Sequence, residues 1–231
     1  MKTVILGLLA ETSIHPGAGS DTGFVDLPVA REAATDYPVI VGSSFKGALL
    51  DQARRQSMDE TLRNRIFGEQ NNAGALLVSD VRLLLLPVRS LTSHYKWVTC
   101  PHLLERLQRD LKRAGRPDGG NVPTVDKGHF LGVGDDQLFL EERQFKKSGD
   151  ASVPKNVLTS LQLLISDTTH KSTRDRLGNQ VVILHDDDFA WFARSASSLA
   201  ASISLVCESL LRLASSTNLT APLRIPRSIN S

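Results

Sequence analysis

The run Gly42-Ser43-Ser44-Phe45-Lys46-Gly47 holds the residue types that bind an anion. Glycines permit close backbone approach, two hydroxyls donate hydrogen bonds, and a lysine ammonium joins the N–H groups and positive dipole end of a starting helix. A phosphate fits that chemistry. The run is not a P-loop, because Gly47 is followed by Ala48 and Leu49 where Walker A requires Lys and then Ser or Thr. The structural alternative is a capped helix start with a surface lysine.

A second candidate is a matter of charge. Between Arg82 and Arg116 stand eight basic residues, Arg82, Arg89, Lys96, Arg106, Arg109, Lys112, Arg113 and Arg116, against Glu105 and Asp110, an excess of six. Cations gathered in one stretch suit a polyanion, and a solvated helix face is the plainer alternative. The formal net charge is only +2 because Asp135, Asp136, Glu141, Glu142 and Asp186 to Asp188 offset the stretch elsewhere. Three consecutive acids invite a metal-site reading. Standing before Phe189-Ala190-Trp191-Phe192, they are better read as a helix N-terminus.

Composition narrows the partner. At 231 residues, 41% hydrophobic and 23% charged, the chain buries a core as one domain or two intimate halves, and wholesale disorder is excluded. Cys100 and Cys207 form no CxxC pair, so neither a disulfide framework nor a zinc finger is indicated, and a reducing cytoplasm fits. The apolar run 4–10 lacks a small-x-small cleavage site and reads as a strand. The stretch 199–213 is too short to span a bilayer and carries Glu208 and Arg212, so a soluble protein without a membrane partner is expected. Aromatic residues make up 5% and no RNP1-like run exists, which argues against base-stacking platforms and for backbone recognition if the polyanion is RNA.

The elements that must position these residues alternate between strands and helices. Runs 4–10 and 39–41 read as strands, 45–56 as a helix with Ser43 or Ser44 as N-cap, and 74–89 as one long strand or two. Pro101 begins the clearest helix. Leu103, Leu104, Leu107 and Leu111 share its inner face, Arg106, Arg109 and Arg113 its outer face, and Gly115 with Pro117 stops it. The segment 116–128 reads as a flexible loop, 137–145 as a strand, 153–166 as a helix, 181–185 as a strand, and 186–194 as a helix. Without regular βαβ spacing, this order predicts an α+β fold rather than a doubly wound sheet.

Taken in order, the motifs carry a resemblance. His15-Pro16-Gly17-Ala18-Gly19, then Gly23-Phe24-Val25-Asp26-Leu27-Pro28-Val29-Ala30-Arg31-Glu32, then Gly42-Ser43-Ser44-Phe45-Lys46-Gly47-Ala48 resemble the N-terminal signature of the RAMP superfamily. Phe67-Gly68, Leu77-Val78-Ser79-Asp80, Leu86-Pro87-Val88-Arg89-Ser90 and Lys96-Trp97-Val98-Thr99-Cys100-Pro101 narrow it to the backbone subunits of Cmr-type (type III-B) CRISPR effectors, over residues 1 to about 194.

The resemblance implies a ferredoxin-like palm, related to RNA-recognition modules, with an inserted thumb and a mobile catalytic loop at about 15–41. The implied partners are guide RNA, target RNA, further copies of the chain in a filament and other Cmr-type subunits. It implies metal-dependent endoribonuclease activity with a divalent ion, magnesium or manganese. Asp26 matches the catalytic, metal-binding position and His15 a position near it, where it assists proton transfer or contacts RNA. A lone Asp beside a Pro is otherwise a turn residue. The implied guide-RNA contacts are Gly42, Ser43, Ser44, Lys46, Gly47, Arg89 and Lys96. Beyond residue 194 the chain departs from the family pattern, with ten serines and no aromatic residue in 195–231, so a closing palm strand and the contacts from that region are left unassigned. A backbone subunit that binds RNA without cutting, and a small-molecule phosphate-binding enzyme, are the competing readings.

Overall fold

A computed structural model describes residues 2–10, 12, 14–17, 29–149, 152–165 and 168–195, together with the backbone of 206–213. In chain order the elements are β1 (Lys2–Leu8), β2 (Val39–Ile40), α1 (Gly42–Arg55), α2 (Glu60–Phe67), β3 (Gly68–Glu69), β4 (Asn72–Ala73), β5 (Leu76–Val78), β6 (Val81–Arg89) and β7 (Tyr95–Thr99). They continue as α3 (Pro101–Arg113), β8 (His129–Gly132), β9 (Gln137–Leu140), β10 (Arg143–Lys147), α4 (Lys155–Gln162), α5 (Lys171–Gln180), β11 (Val181–Leu184), α6 (Asp186–Ser195) and β12 (Val206–Leu213).

The architecture is α+β, as expected. One main sheet runs in the order β1-β12-β6-β7-β11-β8-β10-β9, with β2 on β6 and β5 on β12. Two of its pairings, β7 with β11 and β8 with β10, are parallel. The centre is buried on both faces, so its strands read as unbroken apolar runs instead of alternating ones: Leu83 to Leu86 in β6 and Val181 to Leu184 in β11 are all buried. Past β6 the chain reaches back to β9. Ser90 bridges Leu140 and the Glu141 N–H donates to the Arg89 carbonyl at 2.9 Å, so the strands from β6 to β9 curl toward a barrel around Phe130, Leu140 and Phe145.

Helix α3 forms where its signals place it. Pro101 occupies the first turn, and Leu103, Leu104, Leu107 and Leu111 are buried. Gly115 takes φ 66° and donates to the Lys112 carbonyl while Arg116 donates to that of Leu111, which closes the last turn. Arg106 departs from expectation. It is buried with the leucines rather than standing on the outer face.

Other expectations are refined. The run 74–89 is two strands, β5 and β6. The run 137–145 is a hairpin, β9 and β10, turned at Glu141 with φ 51°. The 116–128 loop is pinned: Asn156 Nδ2 donates to the carbonyls of Gly119 and Asn121, and Gln108 Nε2 to that of Gly120. The closing strand left open by the sequence is β12, whose backbone lies antiparallel between β1 and β6. Segment 18–28, the core of the expected catalytic loop, lies outside the described residues. Among the described residues no helix is long and apolar enough to cross a membrane.

Candidate nucleic-acid interface

Helix α1 starts earlier than a serine cap would allow. Gly42 is its first residue and Val41 its N-cap, with no side-chain bond from the cap, so Ser43 and Ser44 stand inside the first turn, both exposed. The Gly42 N–H donates instead to Oδ1 of Asp80 at 2.8 Å, across from the turn between β5 and β6. That approach requires glycine, because a Cβ on Gly42 would lie 2.8 Å from the Val78 carbonyl oxygen and 2.9 Å from Ser79. Gly47 is different. A Cβ there would meet nothing within 4 Å. Glycine inside a helix costs roughly 0.5–1 kcal/mol relative to alanine, and nothing in the fold uses the missing side chain. It lies on exposed surface beside Lys46 and one turn from Ser43 and Ser44.

Backbone pairing brings a second feature to the same end of the molecule. Gly17 bridges Val29, the Ala30 N–H donates to the Pro16 carbonyl at 2.7 Å, and the Val39 N–H donates to that of Ala30 at 2.9 Å. Arg31 bridges Pro38 antiparallel, and this register places Val29 opposite Ile40, two residues before α1. Gly17 and Val29, the described residues on either side of 18–28, are therefore paired near the start of α1. Asp26 belongs to that segment and lies outside the described residues. His15 is exposed, two residues before the Gly17 bridge.

Two other expected contacts do not join this group. Arg89 is exposed, but it sits seven residues along β6 from Arg82, the partner of Val39, a separation of about 23 Å at roughly 3.3 Å per residue. Its Nε is 3.5 Å from Oε2 of Glu141. Lys96 requires a correction. It is only 6% exposed, and its ammonium donates to the carbonyls of Val133 at 3.0 Å and Asn179 at 2.9 Å, so it is an interior tie and not a surface cation. Burial holds its pKa below the ordinary lysine value.

The basic stretch shrinks in the same way, because carboxylates inside it and outside it pair with its cations. Asp110 is 1% exposed and pairs with both Arg82 and Arg113, the latter at 2.8 Å. Nη1 of Arg106 donates to both carboxylate oxygens of Glu32 at 2.9 Å, and its Nη2 donates to the Leu83 carbonyl at 2.7 Å. Exposed Arg109 stands 3.9 Å from Glu105, while Lys112 and Arg116 point to solvent. Lys96 and Arg106 are thus internal braces, Arg82, Arg89, Arg109 and Arg113 are paired with carboxylates, and the usable charge gathers at the C-terminal end of α3.

The acidic triplet is likewise structural. Asp186 accepts the His102 N–H at 2.9 Å and so caps α3, Asp187 pairs with Lys127 at 3.1 Å, and buried Asp188 accepts from the Gly128 N–H at 2.7 Å and from Arg143 at 3.0 Å. Among the described residues no group of three or more His, Cys, Asp or Glu side chains could hold a metal ion. Sequence reading missed Asp80 and Glu32, although both stand inside the quoted motifs. Only their partners, 38 and 74 residues away, reveal what they do.

The RAMP superfamily profile matches residues 8–179. The chain belongs to the RAMP superfamily. Within it, the similarity runs to Cmr4 proteins. The CRISPR system Cmr endoribonuclease Cmr4 of Pyrococcus furiosus is 32% identical over 219 residues, spanning 90% of this chain and 73% of that protein. A crystal structure of oligomeric Cmr4 from Pyrococcus furiosus matches with TM-score 0.75 at 27% identity, over 95% of this chain and 84% of that one. A second, of Pyrococcus furiosus Cmr4 (Cas7), matches with TM-score 0.74 at 28% identity, over 94% and 84%.

Proposed function

We propose that this chain is the repeated backbone subunit of a type III-B CRISPR RNA-guided complex, which grips the guide RNA along its backbone and cuts the paired target RNA. The observation that carries the reading is 32% identity, over 90% of the chain, to a protein named as the endoribonuclease of a CRISPR system. Its partners are guide RNA, target RNA, further copies of itself and other Cmr-type subunits, and its compartment is the cytoplasm. The geometry supports backbone recognition. At the exposed start of α1, Ser43 and Ser44 offer hydroxyl donors, Lys46 offers charge, and the missing side chain at Gly47 admits a ribose-phosphate to van der Waals distance. A small-molecule phosphate enzyme is a poorer fit, because the protein's own Asp80 carboxylate already accepts the first N–H of the helix.

Asp26 is the proposed catalytic residue. As a carboxylate it can take the proton of a ribose 2′-OH or hold a divalent ion, magnesium or manganese, against the target phosphate. Asp26 would hold such an ion together with RNA phosphate oxygens and water, the hydrated manner in which magnesium commonly binds. When bound, such an ion supplies Lewis-acid polarisation of the phosphoryl oxygen. His15, exposed beside the same segment, contacts RNA or assists proton transfer. The reading is tested by isolating the protein from cells that carry the array: short RNAs of constant 5′ sequence should co-purify. Recovery free of RNA, or with RNA of random ends, contradicts it.

A further inference from the structure

We propose that Glu32 and Arg106 are positioning residues for cleavage, fixing the end from which the Asp26 segment springs. The inference rests on Asp26 being the catalytic carboxylate. From Val29 to Pro38 the chain folds back on itself through the Arg31–Pro38 bridge and is paired outside that hairpin through the Gly17–Val29 bridge, isolated bridges and not a continuous ladder. Such joints fix direction weakly. Side chains supply the rest. Glu32, six residues beyond Asp26, receives both hydrogen bonds of Arg106 Nη1 at 2.9 Å and one from Thr35 Oγ1 at 2.6 Å. Arg106 in turn donates to the carbonyl of buried Leu83, the third residue of β6, so the tie ends on a central strand of the sheet. Neighbouring Arg31 donates to the carbonyls of Ala193 at 3.3 Å and Arg194 at 3.1 Å, at the C-terminus of α6.

The type of contact supports a geometric role. The side chains of Arg106 and Glu32 are 10% and 14% exposed, and an ion pair so far from water gains little stability over an apolar pair of the same shape. What it fixes is one orientation. A carboxylate that must meet one phosphodiester linkage needs its segment to enter at one angle, since a misplacement of about 1 Å can cost roughly 100-fold in rate.

The test uses the assembled complex. Glu32→Gln keeps the shape and removes the charge. It should lower the cleavage rate at saturating target roughly 10- to 100-fold while target affinity stays within about twofold, and raise hydrogen exchange across 14–31. Glu32→Asp, which keeps the charge, should recover part of the rate. A purely structural loss would lower assembly and affinity together with rate. Arg106→Lys serves if Glu32→Gln does not fold. A folded variant with wild-type rate and wild-type exchange overturns the proposal. Asp26→Asn run in parallel separates the two readings: cutting that survives it removes Asp26 from catalysis, while exchange still reports whether the pair fixes the segment.

Discussion

Asp80 and Gly42 are joined by a 2.8 Å hydrogen bond that closes the N-terminus of α1 with a carboxylate from 38 residues further along the chain. The helix that offers Ser43, Ser44 and Lys46 to solvent is thereby locked to the turn between β5 and β6. Asp80→Ala should cost about 1 kcal/mol of stability, the usual worth of an N-terminal cap, read as a shift in denaturant midpoint without a change in slope.

The two glycines of α1 should respond in opposite ways. Gly42→Ala forces a Cβ to 2.8 Å from the Val78 carbonyl and should destabilise, whereas Gly47→Ala meets nothing within 4 Å and should stabilise the helix by roughly 0.5–1 kcal/mol. If RNA passes over that surface, Gly47→Ala should nevertheless weaken guide binding. Thermal melts and filter binding on the same variants separate the effects, and unchanged RNA affinity would move the RNA away from Gly47.

Salt dependence distinguishes surface cations from bracing ones. Lys46→Ala, Lys112→Ala and Arg116→Ala should each reduce the slope of log affinity against log salt by about one ion. Lys96→Met should leave the slope unchanged. Because burial holds the Lys96 pKa below its ordinary 10.5, the unfolded chain binds more protons between the folded value and 10.5, so this group adds stability as pH rises through that window and withdraws it as pH falls. Lys96→Met should flatten that part of the stability profile.

Asp110 illustrates how the basic stretch is braced from within. Asp110→Asn removes the shared counter-charge of Arg82 and Arg113, both of which reach solvent, and should cost about 1–3 kcal/mol. Arg109→Ala, which loses only an exposed pair at 3.9 Å, should stay within about 0.5 kcal/mol of wild type. Equilibrium unfolding of both variants checks the contrast.

The contrast between α3 and α5 explains what was legible in the sequence. α3 carries an apolar stripe, Pro at its start and Gly at its end, and each signal is local. α5 buries only Leu177 and α2 only Ile66, so neither shows a period, although Asp59 before Glu60, accepting the Leu62 N–H at 2.9 Å, was a readable cap. The hairpin at 137–147 turns on Glu141 with positive φ, without the Gly or Asn that would have marked it. For the site, the ordered motifs gave the family and pointed to the start of α1, where Ser43 and Ser44 are exposed. Charge counting failed at Arg106 and Lys96, because a local sum cannot contain Glu32 or the carbonyls of Val133 and Asn179.

Stacking along RNA requires two different faces that meet between copies, an arrangement that leads to open filaments. Sedimentation of the purified chain should show mixed sizes that grow with concentration and with added guide RNA. A monomer independent of both would contradict the backbone role.

The most direct measurement is target cleavage by a fully assembled complex carrying Asp26→Asn, with saturating divalent metal. The substitution keeps size and removes charge, so guide and target binding should remain near wild type while cutting is abolished, as expected for a group that acts on the transition state more than on the ground state. His15→Ala should reduce the rate by less. Cleavage by Asp26→Asn at the wild-type rate would contradict the account.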